Sequence, residues 1–192
     1  MADERVIYLM KGTLVGLSAG FIVSLFRLGI EFILETVIEG YHFMQEQPIW
    51  LIPWVIFSVT AALIVGKLVK SEPNIKGSGI PQVEGQVQGL ISLNWWPVLW
   101  KKFIGGLLAI GSGLFLGREG PSIQLGSAVG QGISNLTKGD DVEEKILLSS
   151  GAGAGLAAAF NAPLAGLMFV LEEVHHNFSP LFNISVLIIQ KR

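Results

Sequence analysis

Two short segments share one arrangement, "GSGIP" at positions 77–81 and "GREGP" at positions 117–121. Each reads glycine, three residues, proline. Proline suits the first turn of a helix, where its missing N–H would be unpaired anyway. Glycine permits a tight approach and leaves neighbouring N–H groups uncovered. Each segment can therefore start a helix whose bare N–H groups and positive dipole end face a ligand, and the ligand such an end favours is an anion. Ser78 adds a hydroxyl donor to the first start, and Glu119 adds a carboxylate to the second. A carboxylate is itself an anion. When charged it can occupy the anion site, and when protonated it can leave. Capping its own helix, or pairing with Arg118, is the plainer role open to the same acid.

These segments sit in an apolar chain. Of 192 residues, 51% are hydrophobic and 15% charged, against about a quarter charged in ordinary soluble domains. Mean hydropathy is +0.57. That composition reads as integral membrane, where a buried ionisable residue is a functional candidate by default. The net charge of −2 and the lack of a Lys/Arg-rich tract argue against a nucleic-acid partner. With no cysteine, disulfides and thiolate metal sites are excluded. The mixed-charge start "MADERVIYLMKG" carries no cleavable leader pattern, so the first apolar run is expected to be retained.

A span needs about 20 apolar residues. The first candidate covers Val6 to Ile38, with Gly12, Gly16 and Gly20 forming a close-packing row. A polar loop is expected over 39–48, then a second span over Trp50 to Gly66. Lys67, Lys70 and Lys76 follow it. The positive-inside rule then places the N-terminus and the 67–76 loop in the cytoplasm. Beyond this point the helices are short. "SGIPQVEGQVQGLI" and the run from Phe103 to Gly117 are too short to span, and "PSIQLGSAVGQGIS" reads as amphipathic. A helix from Ile146 should break near Asn161, because Pro163 removes a backbone bond and disfavours helix before it; a second helix should run from Pro163 to Val174. Trp95, Trp96 and Trp100 with Lys101 and Lys102 read as an interface anchor. The pairs Gly126/Gly130 and Gly151/Gly155 read as packing positions. No solvated linker divides the chain, so residues 1–192 are expected to form one membrane unit with no soluble regulatory domain. Broken helices at membrane depth are tolerated where they line a cavity, which is where the two helix starts would be useful.

Three motifs in order, "GSGIPQ" at 77–82, "GREGPS" at 117–122 and "GLAAAFNAPLAGLMFVLEE" at 155–173, resemble the CLC family of chloride channels and chloride–proton antiporters. The whole chain can be laid on that family's N-terminal membrane half. The resemblance implies an all-α membrane fold of tilted and broken helices, forming one half of an inverted-topology repeat. It implies a homodimer in the bilayer, transporting chloride and protons without a cofactor or resident metal, and not an enzyme. Ser78, Gly79 and Ile80 match the chloride-binding start of one helix. Glu119 matches the gating glutamate that exchanges with chloride and carries the proton. Arg118 and Gly120 complete that second start, Arg118 as a structural neighbour rather than a direct ligand. Glu173 matches the inner proton-transfer acid of the antiporter branch, and channels typically carry an apolar residue there. Chloride–proton antiport is therefore the expected function, in the cell inner membrane. A passive chloride channel and a non-transporting membrane scaffold are the alternatives. The family's second half supplies a "GxFxP"-type helix start and an inner tyrosine. Neither is found here, since Tyr8 and Tyr41 fall too early in the chain. A second transporter half is thus an expected partner.

Glu172 stands beside Glu173. Adjacent helical positions diverge by about 100°, so only one of the two is expected to face a pathway. His175 and His176 lack further ligands at metal-binding spacing and read as a solvated helix end.

Overall fold

The computed structural model describes residues 2–114 and 116–174, with side chains described over 6–114 and 116–172. Every regular element among them is helical. The order is α1 (Ala2–Glu46), α2 (Leu51–Ser71), α3 (Ile80–Val87), α4 (Trp95–Gly111), α5 (Glu119–Leu136), α6 (Asp141–Phe160) and α7 (Pro163–Phe169). Single 3-10 turns, Pro48–Trp50 and Pro73–Ile75, precede α2 and α3, and a π-helical turn, Val170–Val174, extends α7.

Helix α1 has 45 residues. It is longer than the expected span because nothing before Pro48 breaks it: the segment read as a polar loop over 39–48 stays helical to Glu46. The residue before the proline, Gln47, turns out of helix as prolines demand of their predecessors. Its buried stripe is Val15, Ala19, Val23, Phe26 and Ile30, the spacing of one helix face. The glycine row does not play the expected part. A Cβ at Gly12, Gly16 or Gly20 would meet nothing within 4 Å. The packing row lies one position earlier, about 100° around the helix, where branched and aromatic side chains do the filling.

Helix α2, with its preceding turn, is the one described helix long and apolar enough to cross a bilayer by length and composition. Most of its side chains are exposed, including Ile52, Ile56 and Leu63. Such a surface is at home in hydrocarbon and costly in water. Tyr41 at the end of α1 meets Trp54 of α2 edge-on, with ring centroids 5.1 Å apart.

Helix α5 is the centre of the molecule. Every residue from Gly120 to Ser134 is buried, so the amphipathic pattern read from its sequence does not present a polar face to a surface. Its polar side chains are turned inward instead. Gln131 donates to the Leu93 carbonyl at 2.9 Å and to Glu144 at 3.0 Å, and accepts from Gln86 at 3.1 Å.

Small residues make this burial possible. A Cβ on Gly126 would strike the Gly151 carbonyl, and one on Gly130 the Leu147 carbonyl. Helices α5 and α6 thus touch backbone to backbone, the close approach expected of the two glycine pairs. In membranes such packing contributes stability that hydrocarbon exclusion does not.

Helix α6 is capped by Asp140, whose carboxylate accepts from the Glu143 N–H at 2.7 Å. Asp141, Glu143 and Glu144 add negative charge to its first turn, where the helix dipole favours it. Asn161 ends the helix at φ 55°, ahead of Pro163. The break and the restart at Pro163 fall where the proline required them.

Candidate functional site

The two glycine–proline segments start helices, and the two starts meet. Helix α3 begins after Gly79, whose φ of 94° favours a residue without a side chain. A Cβ there would also run into Gln124 of α5, at 2.6–2.8 Å. The first ladder bond of α3 runs from the Val83 N–H to the Gly79 carbonyl at 3.1 Å. The Ile80 N–H reaches the Ser78 hydroxyl oxygen at 3.4 Å. In α5 the Arg118 carbonyl accepts from the Ser122 N–H at 3.1 Å and from the Ser122 hydroxyl at 2.7 Å. The Glu119 and Gly120 N–H groups precede that first bond, so helix geometry leaves them without a ladder acceptor. A Cβ on Gly120 would lie 2.7 Å from both the Ser78 carbonyl and its side chain. Only glycine lets α5 begin this close to the start of α3.

Both starts line one cleft of about 620 Å3. Ser78 comes from the segment just before α3 and Ile80 from its first residue, Glu119, Gly120 and Pro121 from α5, and Lys102 from α4. Gly79 does not line the cleft; it packs against the Gln124 side chain. Glu119 is half-buried, with its carboxylate folded back over Gly117. Arg118 does not line this cleft. Its guanidinium reaches Glu31 of α1 at 2.9 Å, and Arg27 donates to the same Glu31 oxygen at 3.1 Å. The adjacent Arg118 therefore pairs with Glu31 and not with Glu119.

Lys102 corrects the sequence reading most sharply. Its place beside the tryptophans reads as an interface anchor, yet it is only 4% exposed. Its ammonium donates to the Ile75 carbonyl at 2.9 Å and the Gly77 carbonyl at 2.8 Å. It thereby fastens the segment before α3 and brings a positive charge to the cleft. The signal was present in the spacing. Val98, Lys102 and Gly105 lie at i, i+4 and i+7, and all three are buried on one face of α4. Lys101, by contrast, is partly exposed and donates to the Ser71 carbonyl at 3.4 Å.

Gln124 was also missed. It is buried, its amide N–H donates to the Asn74 carbonyl at 2.8 Å, and its oxygen has no hydrogen-bond partner among the described residues. It ties α5 to the approach of α3 from the other side of Gly79. Glu172 is exposed. Glu173 falls in the π-helical turn, and its side chain lies outside the described residues, as do His175 and His176. Tyr41 packs on Trp54, away from the cleft.

What this arrangement can do chemically is bind an anion. Two helix N-termini, a serine hydroxyl and a buried ammonium converge on one cavity, and each favours negative charge. The carboxylate at its wall is the one group there that would compete.

Residues 61–190 match the family described as Voltage gated chloride channel. The H(+)/Cl(-) exchange transporter ClcA of Vibrio parahaemolyticus is 42% identical over 174 residues, which are 88% of this chain and 37% of that protein. ClcA of Cronobacter sakazakii is 39% identical over the same lengths. A solved structure, of a slow cyanobacterial Cl-/H+ antiporter, superposes with a TM-score of 0.81 at 37% identity, covering 88% of this chain and 40% of that one. The chain spans 37% of the length of these curated relatives.

Proposed function

The chain belongs to the voltage-gated chloride channel family, and from that premise we propose that it carries the anion-binding part of a chloride–proton exchanger. The observation that carries this reading is the meeting of the α3 and α5 starts at one cleft, with the Glu119 carboxylate on its wall and no arginine committed to it. Chloride leaving water must recover its hydration from fixed donors, because an unpartnered buried ion is very costly. The Ser78 hydroxyl and the N–H groups of Gly79, Ile80 and Gly120 supply those donors. Arg118 acts through its carbonyl and its ion pair, holding the α5 start in place.

Charged Glu119 competes with chloride for the same donors. Two like charges cannot share so small a site, so chloride arrives as the carboxylate takes a proton and swings away. Glu119 thus gates the anion and carries the proton. Glu173 is the proposed partner that passes the proton to the inner side, an assignment drawn from the match of "LEE" at 171–173 to the family's motif. The relatives named as exchangers support antiport over passive conduction. The working assembly is a homodimer in the inner membrane with its N-terminus cytoplasmic, each pathway completed by a second transporter half.

The test is a proteoliposome assay on the transporter as its source organism assembles it. A chloride gradient should drive protons uphill, with the two fluxes in a fixed ratio. Chloride flux that moves no protons would leave the channel reading in its place.

A further inference from the structure

Arg118 is next to Glu119 in the chain, at the first turn of α5, yet it is held elsewhere. Its guanidinium lies 2.9 Å from Oε1 of Glu31, the oxygen that Arg27 also reaches, at 3.1 Å. Glu31 and Arg27 stand one turn apart on α1, so the acid is braced within its own helix. Three other cations line the cleft with Glu119, and none pairs with it among the described residues. Lys102 is committed to the Ile75 and Gly77 carbonyls, Lys101 donates to Ser71, and Lys76 lines the cleft from the loop before α3. No hydrogen bond or ion pair involves the Glu119 carboxylate among the described residues.

We propose that Glu31 is a positioning residue for the gate: by holding Arg118 on α1, it keeps the adjacent arginine from capturing the Glu119 carboxylate. This rests on the reading of Glu119 as the exchanging acid. The reasoning is one of competition. A guanidinium prefers a carboxylate partner, and Arg118 has two neighbouring acids, Glu31 across the helix pair and Glu119 next to it in the chain, which a released arginine side chain could turn to meet. Glu31 wins in this structure, with Arg27 adding a second donor that fixes where the acid sits. An arginine paired to Glu119 would stabilise its charged form and hold it against movement, and both effects oppose exchange. The arrangement therefore separates two jobs. Arg118 stays to cap and anchor α5, and Glu119 stays free to move.

The test is a mutant cycle on the complete transporter, read as chloride-driven proton uptake and as chloride flux, with thermal unfolding recorded for each variant. Glu31→Gln should lower proton uptake by about tenfold or more, the size of one charge-assisted bond gained by Glu119. Glu31→Asp should keep most of the activity. Arg118→Gln shows the loss from the missing anchor alone; Glu31→Gln should lower proton uptake beyond that loss, and should lower it no further once Arg118→Gln is present, because no guanidinium is left to capture Glu119. In a Glu119→Gln background, Glu31→Gln should leave chloride flux unaltered, since there is no carboxylate to capture. A Glu31→Gln loss no larger than that of Arg118→Gln, or an equal loss of chloride flux with and without the Glu119→Gln change, would mean that Glu31 only holds the fold, and would overturn the inference. So would full proton uptake by Glu31→Gln. If Glu119→Gln alone still pumps protons, the reading of the gate fails, and the role given to Glu31 fails with it.

Discussion

Gly120→Ala adds one methyl group at the point where the two helix starts touch. The new carbon would stand 2.7 Å from the Ser78 carbonyl oxygen, and ordinary contact begins at 3.4 Å. The obstacle is backbone, so no side-chain rotation relieves it. The starts of α3 and α5 must separate by about 0.7 Å, the overlap left by those two distances, at a cost of about 1–3 kcal/mol for overpacking. Stability then falls modestly, but the donors suffer more. Misplacing positioned groups by about 1 Å costs roughly a hundredfold where geometry matters, so a tenfold to hundredfold loss in chloride affinity is expected. Calorimetric chloride titration of the assembled transporter in detergent measures it, with thermal unfolding alongside. Gly16→Ala is the control, because a Cβ there meets nothing within 4 Å and alanine favours helix by about 0.5–1 kcal/mol. If Gly120→Ala binds chloride as tightly as the native protein, the two helix starts do not form a single anion site.

Lys102→Met keeps much of the side chain's length but strands the Ile75 and Gly77 carbonyls that the ammonium now serves. The Ile75 carbonyl is buried, and an unsatisfied buried acceptor costs about 1–3 kcal/mol, while the exposed Gly77 carbonyl can turn to water, so thermal unfolding should shift down and chloride affinity should fall together; a shift in neither would make Lys102 a bystander. Gly126→Ala should be far more damaging to folding than Gly16→Ala, because its methyl group would collide with the Gly151 carbonyl on α6; comparable yields of folded protein for the two would refute the backbone-to-backbone packing. Glu173→Gln should abolish proton movement while chloride binding persists, and unchanged proton flux at matched chloride flux would pass the role to Glu172.

Local chemistry makes part of this fold legible in the sequence. The glycine–proline helix starts and the break at Asn161 are dictated by local chemistry, which is why they fell where expected. The glycine pairs on α5 and α6 were legible for the same reason, since small residues spaced at four mark close approach. The row Gly12, Gly16, Gly20 has the same spacing and no close neighbour. Spacing tells that a helix could be approached there, and only tertiary structure tells whether anything approaches. Lys102 was misread because lysine beside tryptophan is common at interfaces, and its burial depends on two carbonyls 25 and 27 residues away in sequence. The pairing of Arg118 spans 87 residues. No local pattern could choose Glu31 over Glu119, which is adjacent, and the open choice between pairing and gating could not be closed by sequence. The extension of α1 to Glu46 was missed for a plainer reason. Polarity suggests a loop over 39–48, but polar residues without proline or glycine clusters do not stop a helix.

The most direct measurement is chloride-driven proton uptake by the Glu119→Gln transporter in proteoliposomes, compared with native protein at equal chloride flux. Glutamine keeps the size of the side chain but can neither carry a proton nor compete with chloride as an anion. The account predicts that chloride still crosses and that proton uptake falls to the level of protein-free liposomes. Protons still driven uphill by the chloride gradient would contradict it, and would place the exchanging group somewhere other than the start of α5.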